Sequence, residues 1–162
     1  MGCGALDRDS TSGFCLVLAG ARIAHSSKRQ QCIAMSSTEA EIIAASASAL
    51  EVTHMRGMLA ELGLEQNITP LYVDNSGAVE LSRDRKSCHR SRHVDRRYFK
   101  VRELSALKEL AVHHIDTADN PADLLTKPLQ INSYNKHRSS LRTLKGSDGQ
   151  RLSALWTLVS HS

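Results

Sequence analysis

Short apolar runs separated by polar residues mark the first part of the chain. Residues 14–18 are apolar and end at Ala19 and Gly20, a pair suited to a turn. Residues 21–25 and 31–35 have the pattern of strands, and the polar residues 26–29 join them. The pattern predicts an antiparallel hairpin or meander.

The strongest pattern in the sequence predicts a helix of about 25 residues. Ser36 and Thr38 stand three residues before Glu39 and Glu41, so two overlapping capping boxes precede this helix. Apolar residues then recur at helical intervals, and Gly63 supplies the stop. Such a helix is long enough to cover a sheet.

The remaining apolar runs alternate between strands and helices, which is a mixed α/β order. Strands are predicted at 71–73 and 110–115, and helices begin at 78–81, 94–104 and 122–129. We expect residues 1–132 to form one domain and residues 133–162 to be a poorly ordered or loosely docked tail.

The composition is that of a globular protein without a membrane segment. The chain has 162 residues, of which 41% are hydrophobic, and no apolar run approaches the length of a membrane span. No secretory signal is visible, and the four cysteines show no metal-finger spacing. We therefore expect reduced thiols in an intracellular protein, either cytoplasmic or nuclear.

Positive charge is concentrated in one window, residues 83–102. This window holds nine Lys or Arg and two acids, whereas the net charge of the whole chain is +4. A basic patch on a slightly acidic body indicates a polyanion partner, although a solvated, arginine-rich helix face would have the same composition. Aromatic residues make up 4%, which argues against a surface that stacks single-stranded bases.

Three carboxylates occupy positions at which the predicted fold could bring them together. Glu41 lies in the first turn of the long helix, Asp74 ends a strand, and Asp123 begins the helix after the last strand. Converging carboxylates favour Mg²⁺ or Mn²⁺. Each residue also has a structural interpretation: a capping-box partner, an Asx turn and a charge near a helix N-terminus, respectively.

The histidines indicate a functional site less strongly than the three carboxylates do. His89 and His93 have zinc-ligand spacing but no convincing third ligand, so a solvated helix is the simpler interpretation. His113 and His114 end a strand, where one of them could move a proton or contact a phosphate. No Gly-x-Ser-x-Gly elbow is present, and we exclude nucleophilic hydrolase chemistry.

Five ordered motifs resemble the ribonuclease H domain at the C-terminus of copia-type retrotransposon Pol polyproteins. They are DRDSTSGF at 7–14, SSTEAE at 36–41, VDNSGAV at 73–79, RHVDRRYF at 92–99 and DNPADLLTKPL at 119–129. The similarity extends over about residues 5–130, and five motifs in the same order make accident improbable.

The resemblance implies a ribonuclease H-like fold, a mixed sheet in the strand order 3-2-1-4-5 with helices on both faces. It implies hydrolysis of the RNA strand of RNA–DNA hybrids by two Mg²⁺ (or Mn²⁺) ions held by four carboxylates. Glu41, Asp74 and Asp123 fall on three of these carboxylates. One ion would activate the attacking water and the other would stabilise the leaving 3′ oxygen.

The resemblance also implies the partners. These are an RNA–DNA hybrid or other nucleic acid and the reverse transcriptase portion of the parent polyprotein, with no membrane partner. The residues that we expect to contact the phosphates are Arg90, Arg92, Arg96 and Arg97.

The sequence departs from the family at three points, one of which is Ile42 in place of the aromatic residue usual after Ala-Glu. A first strand of the pattern Ser-Asp-Ala-Asp-Trp, which carries the fourth carboxylate, is absent because Met1 stands near the position of its Trp. A histidine usual in the family falls at Cys88.

The missing strand is the central one, so we expect two interior strand edges without partners, an unstable fold and little or no cleavage. Residues 155–159 are the only other apolar run long enough to fill the gap, and we do not expect them to do so. The alternative function is a catalytically inactive remnant or recruited nucleic-acid-binding module. A purely structural protein is a weaker third possibility.

Overall fold

The computed structural model describes residues 10–30, 36–83, 92–142 and 155–161. They form a mixed α/β structure in which helices flank one five-stranded sheet. The strands are β1 (Thr11–Leu18), β2 (Ala21–Arg29), β3 (Thr69–Val73), β4 (Leu110–His114) and β5 (Leu155–His161). The helices are α1 (Ser37–Glu61), α2 (Ser76–Arg83), α3 (Arg92–Ala106) and α4 (Ile131–Arg142), with 3₁₀ helices at Thr117–Asp119 and Pro121–Leu125.

The predicted hairpin at the start of the chain is present. β1 and β2 are antiparallel, and the residues of their two-residue loop, Ala19 and Gly20, have φ values of 53° and 80°. Positive φ at both loop residues matches the right-handed twist of the flanking strands. β2 continues without a break through the polar residues 26–29. Polar side chains are accommodated there because β2 is a largely exposed edge strand. The predicted strand at 31–35 lies outside the described residues.

Helix α1 begins and ends where the sequence predicts. The hydroxyl of Ser36 accepts a hydrogen bond from the backbone N–H of Glu39 at 3.1 Å. At the other end Gly63 has a φ of 74°, and the N–H of Leu64 donates to the carbonyl of Leu59 at 2.8 Å, which is a Schellman end. Local capping therefore sets both ends of α1.

The centre of the sheet is formed by the C-terminal strand, in the order β2-β1-β5-β3-β4. β5 runs antiparallel to β1 from Ser12↔His161 to Leu18↔Leu155. It runs parallel to β3, where Leu71 lies opposite Thr157. The side chains of Thr157, Leu158, Val159 and Ser160 are all buried.

This placement corrects two expectations. Residues 155–161 are a central strand and not a loosely docked tail, and residues 131–142 form helix α4. The inner edges of β1 and β3 are not left open, because both pair with β5. With β5 in the central position that the resemblance gives to its first strand, the sheet order is compatible with the order that the resemblance implies.

The region after β4 also differs from the prediction. Instead of a helix over 122–129, a 3₁₀ helix spans Pro121–Leu125, and α4 begins at Ile131. Proline cannot donate the backbone hydrogen bond of a helix interior, and Pro128 falls inside the predicted span. Within the described part of the chain, no helix is long and apolar enough to cross a membrane.

Cys15 lies on β1 as a buried free thiol. Burial raises the pKa of this thiol to about 11, with the nearby Arg22 acting in the opposite direction. The thiol is therefore neutral near pH 7.

Candidate functional site

The first turn of α1 meets the end of β3. The hydroxyl of Thr38 approaches Oδ1 of Asn75 at 3.5 Å, and a Cβ added at Gly77 would lie 3.3 Å from that hydroxyl. Glu41 follows within the same part of α1, and Asp74 comes directly after β3. Two of the three predicted carboxylates thus belong to segments that are in contact.

The start of β1 lies at the same end of the sheet as the last residue of β3. Nε2 of Gln30 donates to the hydroxyl of Ser12 at 2.6 Å and to the carbonyl of Ala40 at 2.9 Å. Ser12 pairs with His161, the last residue of β5. The side chain of Gln30 therefore links the first turn of α1 to the end of the sheet where β1 begins and β5 ends.

Asp123 belongs to the 3₁₀ helix Pro121–Leu125 and is held by two side chains. The hydroxyl of Ser160 on β5 donates to Oδ1 of Asp123 at 2.5 Å. The ammonium of Lys127 lies 2.8 Å from Oδ2. Both oxygens of this buried carboxylate are thus engaged, one by a hydroxyl and one by a positive charge.

The same 3₁₀ helix is fixed to the sheet by its backbone. Nδ2 of Asn120 donates to the carbonyl of Val159 at 2.7 Å, and its Oδ1 accepts from the N–H of Ala122 at 3.1 Å. A Cβ added at Gly13 would come within 2.7 Å of Cγ2 of Thr126. The 3₁₀ helix therefore rests on β1 at a position that has room only for glycine.

The three predicted carboxylates differ in their surroundings. Glu41 is fully buried, Asp123 is buried, and Asp74 is half-buried at the end of β3. Within residues 10–30, 36–83, 92–142 and 155–161, no three His, Cys, Asp or Glu side chains are arranged to hold a metal ion. Because Lys127 already neutralises Asp123, this carboxylate does not fit a divalent ion in the arrangement described.

The histidines lie in three different settings. His113 and His114 end β4, as the sequence predicts. Both are exposed, and the ring centroid of His113 lies 5.7 Å from that of Tyr72. His137 on α4 is buried, and burial, together with the positive charge of Lys136, lowers its pKa. His89 lies outside the described residues.

Sequence reasoning missed Asn120, Ser160 and His137. Asn120 belongs to the motif at residues 119–129, so the motif indicated that this residue could have a role. Ser160 and His137 fall in the segment that was expected to be a tail, and nothing in their immediate sequence indicates burial.

The basic window is described in part. Arg92, Arg96 and Arg97 belong to helix α3, where Arg92 and Arg96 are one helical turn apart. The side chains of these three arginines, and the whole of Arg90, lie outside the described residues. On the described part of α3, Phe99 is exposed and Lys100 pairs with Glu103 at 3.1 Å.

Comparison with known proteins gives relatives of one kind. The chain is 38% identical over 128 residues to a retrovirus-related Pol polyprotein from transposon TNT 1-94 of Nicotiana tabacum, covering 79% of this chain and 10% of that protein. Pol polyproteins from transposons RE2 and RE1 of Arabidopsis thaliana are 32% and 33% identical, covering 86% and 83% of this chain.

No family model matches the chain, and no solved structure matches it. The chain spans about a tenth of the length of the curated relatives described above. Its homologues are retrotransposon Pol polyproteins, and the similarity extends over most of its length.

Proposed function

We propose that this chain is a ribonuclease H-like domain of retrotransposon Pol origin that binds RNA–DNA hybrids and hydrolyses them weakly or not at all. By origin its reaction is hydrolysis of the RNA strand, with Mg²⁺ or Mn²⁺ as the cofactor. The reverse transcriptase portion of a Pol polyprotein is the protein partner that this origin suggests.

The observation that carries the proposal is the order of the sheet. The order β2-β1-β5-β3-β4, with α1 packed across β1, β5 and β3, supports the ribonuclease H-like arrangement that the five motifs suggest. Our inference is that this order brings the segments that bear Glu41, Asp74 and Asp123 towards one end of the sheet. The homology to Pol polyproteins supports the retrotransposon origin.

The proposed weakness of hydrolysis has a local cause. Asp123 is already paired with Lys127 and hydrogen-bonded to Ser160. A carboxylate that is paired with an ammonium binds a further cation less readily, because the two positive charges repel each other across a few ångströms. We therefore derive no metal-dependent step for this chain.

The alternative, a binding module without catalysis, is favoured by the same ion pair. In this alternative the basic helix α3 binds the phosphate backbone and the carboxylates serve the fold. Arg92 and Arg96, one turn apart, would then contact successive phosphates of one strand.

The test is binding and cleavage of a labelled RNA–DNA hybrid by the full chain in Mg²⁺ and, separately, in Mn²⁺. We expect the hybrid to bind more tightly than a DNA duplex of the same sequence, with cleavage slow or undetectable. Any cleavage should disappear in the Asp74→Asn variant, which controls for a contaminating nuclease. Equal affinity for the hybrid and the DNA duplex would contradict the proposal.

A further inference from the structure

The last of the five strands lies inside the sheet and not at its edge. β5 lies between β1 and β3, so the antiparallel pair β1–β2 and the parallel pair β3–β4 are joined through it. Its pairing with β1 extends along its whole length, from Leu155 to His161. The slot between β1 and β3 is therefore completed by a segment that follows all the other strands in the chain.

Side-chain contacts fix which residues of β5 enter this slot. On the face covered by α1, the hydroxyl of Thr157 shares a hydrogen bond with that of Ser48 at 2.8 Å. On the face of the 3₁₀ helix Pro121–Leu125, the hydroxyl of Ser160 donates to Oδ1 of Asp123 at 2.5 Å. Thr157 and Ser160 are buried, so a shift by one residue would turn both hydroxyls away from their partners inside the sheet. The slot is therefore specific for one register of β5.

The helix before β5 is packed lightly against the rest of the chain. Among the described side chains of α4, which are those of residues 131–139, only that of His137 is buried. In contrast, β5 is in contact with β1, β3, α1 and the 3₁₀ helix, all of which precede α4 in the chain. The position of β5 thus depends on its contacts with earlier elements, and these contacts are the same whichever copy of the chain provides the strand.

We propose that the slot between β1 and β3 is a strand-binding site for a second copy of this chain, so that two chains exchange their β5 strands. In the exchanged dimer each slot holds the β5 of the other chain in the same register. Exchange needs no new surface, because both forms bury the same side chains. A strand on a short tether has an effective concentration on the order of 1 mM, so exchange competes as the chain approaches that concentration. This inference goes beyond the proposed function and does not depend on hybrid binding.

The first test is refolding of the wild-type chain from denaturant at two concentrations, in a reducing buffer because the chain has four cysteines. After refolding at about 1 µM we expect a monomer, and after refolding at about 1 mM a dimer fraction of roughly one half. Size-exclusion chromatography with light scattering measures the fraction. Release of a strand from the centre of the sheet requires unfolding, so the dimer should persist after dilution for as long as the folded state itself.

A synthetic peptide with the sequence of residues 153–162 tests whether the slot is responsible. Present during refolding at about 5 mM, above the effective concentration of the tethered strand, it should lower the dimer fraction about threefold or more. The same peptide with Ser160→Ala should bind about tenfold more weakly and compete less, because it cannot donate to the buried Asp123. In the chain itself, Leu158→Asp should abolish the dimer, whereas Leu50→Asp, at an exposed position of α1, should keep it.

A chain that stays monomeric after refolding at about 1 mM would overturn the exchange. A dimer that separates within minutes of dilution would also overturn it, since contact between two folded surfaces behaves in that way. The same holds for a dimer that the peptide does not reduce. Should Leu158→Asp fail to fold, the peptide competition decides, because it uses the wild-type chain alone.

Discussion

At the scale of single residues, Gly13 and Gly57 have different roles that the sequence does not distinguish. Gly13 lies where β1 touches the 3₁₀ helix, and an added Cβ would come within 2.9 Å of Cβ of Leu125. Gly57 lies in α1 with nothing within 4 Å of the same added atom. The first is a packing requirement, whereas the second only weakens a helix.

The pair makes a matched prediction. Gly13→Ala should lower the free energy of unfolding by about 1–3 kcal/mol, because the 3₁₀ helix must move to make room. Gly57→Ala should raise it by about 0.5–1 kcal/mol, the usual gain from replacing a glycine inside a helix. Chemical denaturation of both variants measures the two effects. Equal effects of the same sign would show that the close approach at Gly13 is not tight.

His137 predicts how stability depends on pH. Burial lowers the pKa of His137 in the folded chain, so the unfolded chain takes up this proton first as the pH falls. Stability from this group is complete above the unfolded pKa of about 6.5 and is lost between there and the lower folded pKa. We expect the free energy of unfolding to decrease across that window.

Denaturation at several pH values, compared with His137→Gln, isolates the contribution of this histidine. The glutamine variant should show a smaller decrease below about pH 6.5 than the wild type. His25→Gln, at an exposed position on β2, should keep the wild-type decrease. A His137→Gln curve parallel to that of the wild type would contradict the prediction.

At the scale of elements, the important strand is the last one. β5 pairs with β1 and with β3, and its polar residues Thr157 and Ser160 have partners. Thr157 shares a hydrogen bond with Ser48 of α1 at 2.8 Å, and Ser160 donates to Asp123. A strand in this position holds the two halves of the sheet together.

The prediction for β5 concerns Leu158, which is 2% exposed. Leu158→Ala should cost about 2–5 kcal/mol, the range for removing a buried leucine side chain. Leu50→Ala, the same change at a 56% exposed position of α1, should stay within about 0.5 kcal/mol. Thermal and denaturant unfolding would give both values. A negligible effect at Leu158 would return residues 155–161 to the loosely docked tail that the sequence suggests.

At the scale of the whole molecule, charge is distributed unevenly. Helix α3 carries Arg92, Arg96 and Arg97. A second pair of basic residues, Arg22 and Lys28, is exposed on β2, and β2 and β4 form the two opposite edges of the sheet. Binding through α3 would depend on salt, because each neutralised phosphate releases counter-ions.

Charge reversal tests which face binds. Arg96→Glu with Arg97→Glu should weaken hybrid binding about equally for all sequences and reduce the slope of log K against log salt by about two. Arg22→Glu with Lys28→Glu changes the net charge by the same amount and should leave the slope nearer that of the wild type. Titrations at several salt concentrations provide the measurement. If the β2 variant loses more affinity, the binding face is not α3.

Much of the molecule could be predicted because the signals are local. Capping residues set the ends of α1, and Ala19 and Gly20 set the turn between β1 and β2, since each depends on residues a few positions apart. The positions of Glu41 and Asp74 on their elements follow from the same patterns. Asp123 lies in a 3₁₀ helix instead of the predicted α-helix.

By itself, then, the sequence determined the hairpin and the long helix. Only the tertiary structure decided what fills the centre of the sheet and what holds Asp123. Strand pairing between β1 and β5 joins residues far apart in sequence, and no local preference encodes such a choice. Thr157 and Ser160 interrupt an apolar run and look like surface residues, yet both are buried because Ser48 and Asp123 satisfy their hydroxyls.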